Sequence, residues 1–581
     1  MADYSLSPAS WLQVKNRALD VVSVKDYGAV GDGVTDDTAA IQAAIDFGGN
    51  IFIPGGTYMA SQLTMDSDVY ICGAGYGITT IKQIAGTNAD FISSSSDLSN
   101  FGITGLTVDG NYFTSAWNEA VGTTGNTSGN GLYLKGYSFK IDVVINNVAG
   151  IGAYFDEPDA SQPSSISEYL SELSITGRDY GQEGLIVKGP NDWILKKAWI
   201  GRAGILPRPS ADTSIATSTV YSGDPADGIV LDGVNVEIGD IHVYACWSGT
   251  GFRTRNTARL TKGGRVISES NRSQVNLSAS TYGSAFFDVR NLSLLHPNWT
   301  ASVPSYTFPD PEWDAVTIDA SDFSCEVTVK RTITANTRVV GATAVVVNSR
   351  ADVKATYSNS SAPVGDAEEG TLYSGDFIRV GGSGGKIDAL CDRCNGDAVV
   401  VEGEGCNISF SASRGIGGYA LRRDSLSNSM RGNTITGSIA NCDGGFISVG
   451  NPMSEIVNVA MELDTGEVPF AGDIPDVFRG QLWNITASVN NVETSTNRIY
   501  SGTLDSTVDT DQAVTITHDF LYTPDIKECM ICEYRPDGTS PARIDYLGIE
   551  SVSATEVRIA YKFGTIDASP SDLFKVILRI G

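Results

Sequence analysis

Glu183, Asp227, Asp232, Glu237 and Asp314 flank a stretch that concentrates aromatic side chains, among them Trp199, Tyr221, Trp247, Trp299 and Trp313. Cleaving a glycosidic bond requires one protonated carboxyl beside the leaving oxygen. A second carboxylate acts as nucleophile or as base for water, the two being ~5.5 Å apart for retention or ~6.5 to 9.5 Å for inversion. A flat aromatic face suits a sugar ring, while polar neighbours satisfy its hydroxyls. These residue types together therefore describe a candidate catalytic set (Glu183, Asp227, Asp232, Glu237, Asp314) and a candidate substrate-binding set (Trp199, Tyr221, Trp247, Arg253, Arg255, Trp299, Trp313). Arg253 and Arg255, with Lys196 and Lys197 nearby, leave a second chemistry open: proton abstraction beside a uronic carboxylate that a cation neutralises. His242, in the run VNVEIGDIHVYACW at 234–247, sits between these possibilities and an ordinary strand position.

What must hold these residues is a repeat. From about residue 130 a small or acidic turn residue, then Gly or Ala, then three or four strand-type residues recur, as in NGLYLKG, GAYFDE, EGLIVKG, DGIVLDG, GFRTRN, AFFDVRN, DAVTIDA and DAVVVEG. The shortest step is about 21 to 23 residues, as expected for a coil of three strands and three turns whose longer steps absorb insertions. The residue after each anchor, including Leu132, Tyr154, Leu185, Ile229, Phe252, Phe286 and Val316, is apolar and is predicted to face a shared core. Arg253 and Arg255 fall at alternating outward positions. Adjacent rungs are about 4.8 Å apart, so carboxylates on neighbouring rungs can meet either catalytic separation. Glu183, Asp227, Asp314, Asp376 and Asp397 all occupy the slot before the anchor, where a short polar side chain can bond turn backbone; a slot filled this often cannot be catalytic at every level. The heaviest insertions are predicted at 204–227, 259–284, 291–314 and 350–376, where loops on a rigid scaffold would carry recognition residues.

Composition narrows the partners. With 68 acidic against 40 basic side chains the formal charge is −28, which repels nucleic-acid phosphates and gives no reason to expect a membrane surface as partner. Nowhere do 18 apolar residues run together. Nine cysteines, an odd number thinly spread, fit reduced thiols; Cys391-x-x-Cys394 and Cys529-x-x-Cys532 lie far apart in a chain with three histidines, so neither a metal nor a cofactor is expected.

The N-terminal texture differs. Residues 36–46 carry helix formers with Ile41 and Ile45 at i, i+4 and acids in the first turn, a capping helix over the first rung; Asn50 to Tyr58 then read as a strand and tight turn. The runs VKDYGAVGDGVTDDTAAIQAAID, GGNIFIPGGTYMAS and VYICGAGYGITTIK resemble the opening of the pectate-lyase-like β-helix superfamily, in particular bacteriophage tailspikes that depolymerise capsular polysaccharide. The resemblance implies a right-handed parallel β-helix of about 12 to 13 rungs, all-β, with an N-terminal capping helix and a small C-terminal β-sandwich-like module. It also implies a virion-borne homotrimer that binds and depolymerises a bacterial surface polysaccharide. Endo-acting hydrolysis is the first expectation, with β-elimination by a lyase and a non-catalytic receptor-binding spike as alternatives. Within this frame, 1–20 is a short anchor peptide that docks on another phage tail protein, 21–85 the cap and first rungs, 86–497 the β-helix with its substrate loops, and 498–581 a module for trimerisation or carbohydrate binding. The G-H-G element and paired aspartates of polygalacturonases are absent from the sequence, which disfavours plant pectin.

Overall fold

The computed structural model describes residues 21–580 apart from 113–124, 157–170, 190–191, 207–219, 222–225, 247–248, 291–314, 332–342, 360–375, 425–431 and shorter stretches, most of them beyond 440. The chain divides into two compact units, 1–375 and 376–581. Both contain the coils of a right-handed parallel β-helix, the architecture expected from the repeat.

In the first unit, Ser23 caps a short 3-10 turn at Val24–Tyr27, and the helix Thr38–Phe47 buries Ile41, Ala44 and Ile45. Asp37 precedes that helix without capping it. Its carboxylate instead accepts the amides of Val30 (2.6 Å) and Gly31 (3.0 Å), while Asp32 accepts those of Val34 and Thr35. These acids are turn acceptors, as their positions imply.

Above the cap, two parallel ladders form two walls. The short wall stacks Ile92–Ser93, the start of Leu132–Val148, then Ala153–Asp156, Leu185–Lys188, Ile229–Asp232, Thr250–Arg255, Ser273–Leu277, Val316–Ile318 and Val345–Val347. The long wall stacks the rest of Leu132–Val148, then Ser171–Tyr180, Asp192–Gly201, Asn235–Tyr244, Arg265–Glu269, Tyr282–Arg290, Phe323–Arg331 and Ala351–Asn359. Alternate residues turn inward: Leu132, Leu185, Ile229, Phe252, Val316 and Val345 are fully buried. Glycine at the anchor has a steric cause. A Cβ on Gly228 would lie 2.2 Å from Val243 Cγ1 and 2.7 Å from the carbonyl of Gly251.

Two anchors are displaced by one residue. Leu132 pairs with Ala153 and Ala153 with Leu185, whereas Tyr133 pairs with Tyr154 and Tyr154 with Ile186. Ala153 and Phe155 therefore fill the core and Tyr154 points outward, contrary to the expectation from GAYFDE. The AFFDVRN segment belongs to the long wall, with Phe287 buried and Phe286 half-exposed. The rung strand at that level is Ser273–Leu277, so 259–284 is a turn of the coil and not an inserted loop. A one-residue slip reverses every side chain of a strand, which is why these two errors matter for the site.

In the second unit, Ile378–Val380, Val399–Val401, Tyr419–Asp424 and Gly444–Val449 form one parallel ladder. Lys386–Cys394, Asn407–Ile416, Thr434–Ala440, Ile456–Leu463 and Leu482–Val489 form the other. Cys391 and Cys394 are buried in the first strand of that second ladder. After it come two three-stranded antiparallel sheets, Ile499–Leu504 with Phe574–Ile580 and Cys529–Tyr534, and Gln512–Thr517 with Glu556–Thr565 and Arg543–Val552.

Candidate functional site

The short wall of the first unit carries a connected set of ionisable side chains. Asp227, in the turn before Ile229–Asp232, is 2% exposed. One of its oxygens accepts the Thr250 amide of the next rung (2.8 Å). The other meets Arg253 Nε at 2.8 Å and Arg255 Nη2 at 3.1 Å. Arg253 also donates to Thr250 Oγ1 at 2.6 Å. Glu183 sits one rung below Asp227, where the amide of Gly184 donates to the Asp227 carbonyl (3.1 Å). Burial pushes the Glu183 carboxyl above its ordinary range and its own backbone amide opposes this; Asp227 adds to the rise, and Arg255 and Arg253 counter it. Burial thus moves this carboxyl, beside an arginine-paired carboxylate, in the direction that general-acid work needs.

Asp232 accepts from Asn256 Nδ2 and lies in register with Lys188 and Arg255. Those positions close the strand whose start Glu183 precedes. Glu237 and Trp199 belong to the other wall, in Asn235–Tyr244 and Asp192–Gly201, and are not brought to Glu183. Asp314, Trp247, Trp299 and Trp313 lie outside the described residues. Tyr221 is described only as the end of a two-residue strand paired with Ile205–Leu206. Trp193 is core, edge-on to Phe139 at 4.8 Å.

The one-residue register shift adds residues that the repeat did not single out as a site. Tyr133 and Tyr154 stand outward in register, with rings 5.2 Å apart. Both hydroxyls donate to Asp156, Tyr133 at 2.9 Å and Tyr154 at 3.3 Å, and Lys188 Nζ reaches the same carboxylate at 3.3 Å. Burial and the Asp156 carboxylate push the Tyr133 hydroxyl up to about 12 and raise that of Tyr154. Aligning Leu132 with Ala153 would have disclosed this pair, because both segments then carry tyrosine at the outward position. The outer face of the short wall thus holds a raised carboxyl, a buried arginine-clamped carboxylate and two phenols converging on a third carboxylate.

The second unit repeats the Asp227 arrangement. Asp376 accepts the Asp397 amide (3.0 Å) and pairs with Arg379, and Asp397 accepts the Tyr419 amide (2.7 Å) and pairs with Arg422. Lower in the first unit, Asp90 accepts the Asn130 amide and Asn130 that of Ile151, each at 2.9 Å. The slot before the anchor is a clip between rungs, and Asp227 is one of its members. Glu183 occupies the same slot, half-buried, and burial raises its carboxyl as it also raises that of Asp397.

Residues 21–223 match the family model for rhamnogalacturonase A/epimerase, pectate lyase-like proteins. Mannuronan C5-epimerase AlgE5 of Azotobacter vinelandii is 47% identical over 107 residues, a match covering 15% of this chain and 11% of that protein. The preneck appendage protein of Bacillus phage PZA is 47% identical over 62 residues, covering 10% of this chain and 7% of that one. The chain thus spans about a tenth of the length of these relatives. Among solved structures, the Pseudomonas phage phi297 tailspike gp61 aligns over 97% of this chain and 99% of its own, with 11% identity and a TM-score of 0.33.

Proposed function

We propose that this protein is a virion-borne tailspike that binds a bacterial surface polysaccharide and depolymerises it on the outer face of the short wall, by glycosidic hydrolysis. The observation that carries the reading is the Glu183–Asp227 neighbourhood: a carboxyl raised by burial, one rung from a carboxylate held by two arginines. Glu183 protonates the leaving oxygen as the glycosidic C–O bond breaks, and a water then adds to the anomeric carbon and returns a proton to Glu183. Asp227, at rung spacing of about 4.8 Å, supplies the negative charge that an oxocarbenium-like centre needs. Arg253 and Arg255 fix that charge and face the sugar chain. The polysaccharide-modifying names among the relatives and the tail-protein match support the substrate class and the virion setting. In this reading the chain works as a homotrimer, 1–20 docks on another tail protein, and 498–581 serves assembly or sugar binding.

A second reading rests on Tyr133, Tyr154, Asp156 and Lys188. β-Elimination needs a base to take the proton beside the uronate carboxylate, a cation to neutralise that carboxylate and an acid to protonate the leaving oxygen, the C–H and C–O bonds breaking as the double bond forms; Asp156, Lys188 and the phenol of Tyr133 or Tyr154 offer these three groups. One experiment separates the two. Purified protein is incubated with capsule and lipopolysaccharide from a strain panel, following reducing ends and the absorbance of a new conjugated double bond. Hydrolysis gives reducing ends alone and is lost in Glu183→Gln. Elimination gives both signals and is lost in Tyr133→Phe or Tyr154→Phe. Binding with neither signal leaves a non-catalytic spike.

A further inference from the structure

The long wall of the first unit carries an exposed aromatic strip that the reaction face does not use. Trp199 is 41% exposed although it lies in the middle of the stack. Its orientation is fixed on three sides. The indole Nε1 donates to Asp240 Oδ2 (3.2 Å), the Lys197 ammonium stands 4.3 Å from the ring centroid, and His242, in register on the next rung, meets it edge-on at 6.1 Å. His242 lies 5.4 Å from the ring of Tyr244, and its Nε2 is 3.6 Å from Glu269 Oε2 one rung further on. The strip therefore presents one flat apolar face, held in place, with an ammonium and two carboxylates around it.

Two occupants suit an exposed, pre-oriented indole: the apolar face of a sugar or a second protein surface. A stable protein interface buries roughly 800 Å² on each side around an apolar centre. Around Trp199 the outward positions are Lys196, Lys197, Asp240, Arg265 and Glu269, and Arg265 is paired with Asp288. That surround is hydrogen-bonding and charged, matching the hydroxyl rim of a pyranose. Because the indole is already held, little ordering entropy opposes binding.

We infer that the Trp199–Asp240–His242–Glu269 strip is a second saccharide-binding site, on a different wall from the Glu183–Asp227 face, which holds a distant part of the same polymer without reacting with it. The inference rests on the reading that the protein engages a polysaccharide. Joining two sites through one polymer raises retention well beyond either site alone.

The test uses the full chain and oligosaccharides made by partial acid hydrolysis of whichever capsular or O-antigen polysaccharide in the panel the protein retains. Calorimetry on the wild type is expected to give two sites per chain, and on Trp199→Ala one, with at least a tenfold weaker apparent affinity for the intact polymer. Trp199→Phe keeps a flat face and restores the second site, which guards against a folding artefact in the alanine variant; Asp240→Asn weakens that site alone. A single site in both wild type and Trp199→Ala overturns the inference while leaving the reaction face standing. A change of oligomeric mass in Trp199→Ala also overturns it, because the strip would then be a subunit contact. Retention of no polysaccharide in the panel overturns the functional reading, and this inference with it.

Discussion

Replacing Asp227 by alanine and, separately, by asparagine tests whether the carboxylate is scaffold, chemistry or both. The alanine variant orphans the Thr250 amide, which Asp227 Oδ1 accepts at 2.8 Å in a buried setting. An unsatisfied buried donor costs about 1 to 3 kcal/mol. Arg253 and Arg255 lose their shared partner too, but both are partly solvated, with side-chain exposures of 31% and 42%, so water recovers much of that loss. A local destabilisation of about 2 to 3 kcal/mol is therefore expected for Asp227→Ala. The asparagine keeps an oxygen for the Thr250 amide and loses only the charge, so about 1 kcal/mol is expected. Hydrogen exchange followed by mass spectrometry reads this directly. Protection of the Thr250 amide falls about 30- to 150-fold in Asp227→Ala, each 1.4 kcal/mol being a factor of ten, and about fivefold in Asp227→Asn. Unchanged exchange at Thr250 in the alanine variant would refute the clip. Activity supplies the second axis: loss of cleavage in Asp227→Asn, with exchange nearly intact, assigns the charge to catalysis, whereas retained cleavage reduces Asp227 to its structural role.

The raised carboxyl of Glu183 fixes a sign for stability against pH. Its folded value lies above its unfolded one, so the folded state binds more protons, and stability falls as pH rises from the ordinary glutamate range through the folded value. Glu183→Gln removes that fall, and thermal inactivation measured from pH 4 to 8 should show the variant gaining on the wild type toward neutral pH; parallel curves would contradict it. Gly228→Ala places a methyl 2.2 Å from Val243 and should cost roughly 1 to 3 kcal/mol of overpacking, seen as faster inactivation on heating. A heat- and SDS-resistant trimer is expected by light scattering and gel mobility, with a monomer mass at micromolar concentration counting against it.

Much of this fold can be read from the chain because stacked rungs impose a periodic demand. Small anchors such as Gly184 and Gly228 have no room for a side chain, and the following Leu185 and Ile229 must fill a common core. The two lapses have different causes: at Gly152-Ala153 two small residues stand side by side and only Gly152 is the anchor, so starting from Ala153 inverts the strand, while Ala285 lies in the long wall and anchors no rung. The inversion at Tyr154 hid the phenol pair, which only the register with Tyr133 reveals. The separation of Glu237 and Trp199 from Glu183 was not legible either, since assigning strands to two walls depends on how far each turn carries the chain. The aspartate slot was legible as a column. Its arginine partners were legible only as outward residues, because pairing across rungs depends on which rung comes next.

The clips have a direction. At the slot before the anchor the side chain lies on the earlier rung and the amide on the later one, Asp90 to Asn130, Asn130 to Ile151, Asp227 to Thr250, Asp376 to Asp397 and Asp397 to Tyr419, whereas away from that slot Asn271 and Asn433 accept the amides of Cys246 and Cys406 from earlier coils. A chain emerging from the ribosome exposes its N-terminal end first. Each completed coil then presents a row of carboxylate or amide oxygens at its growing edge before the next strand has been made. The incoming strand finds its acceptors already placed, at a register that a slip of one residue would leave unmet. At this slot the arrangement works as a ratchet for growth, loading the template onto the part of the molecule that is synthesised earlier and asking of the incoming strand a backbone N–H.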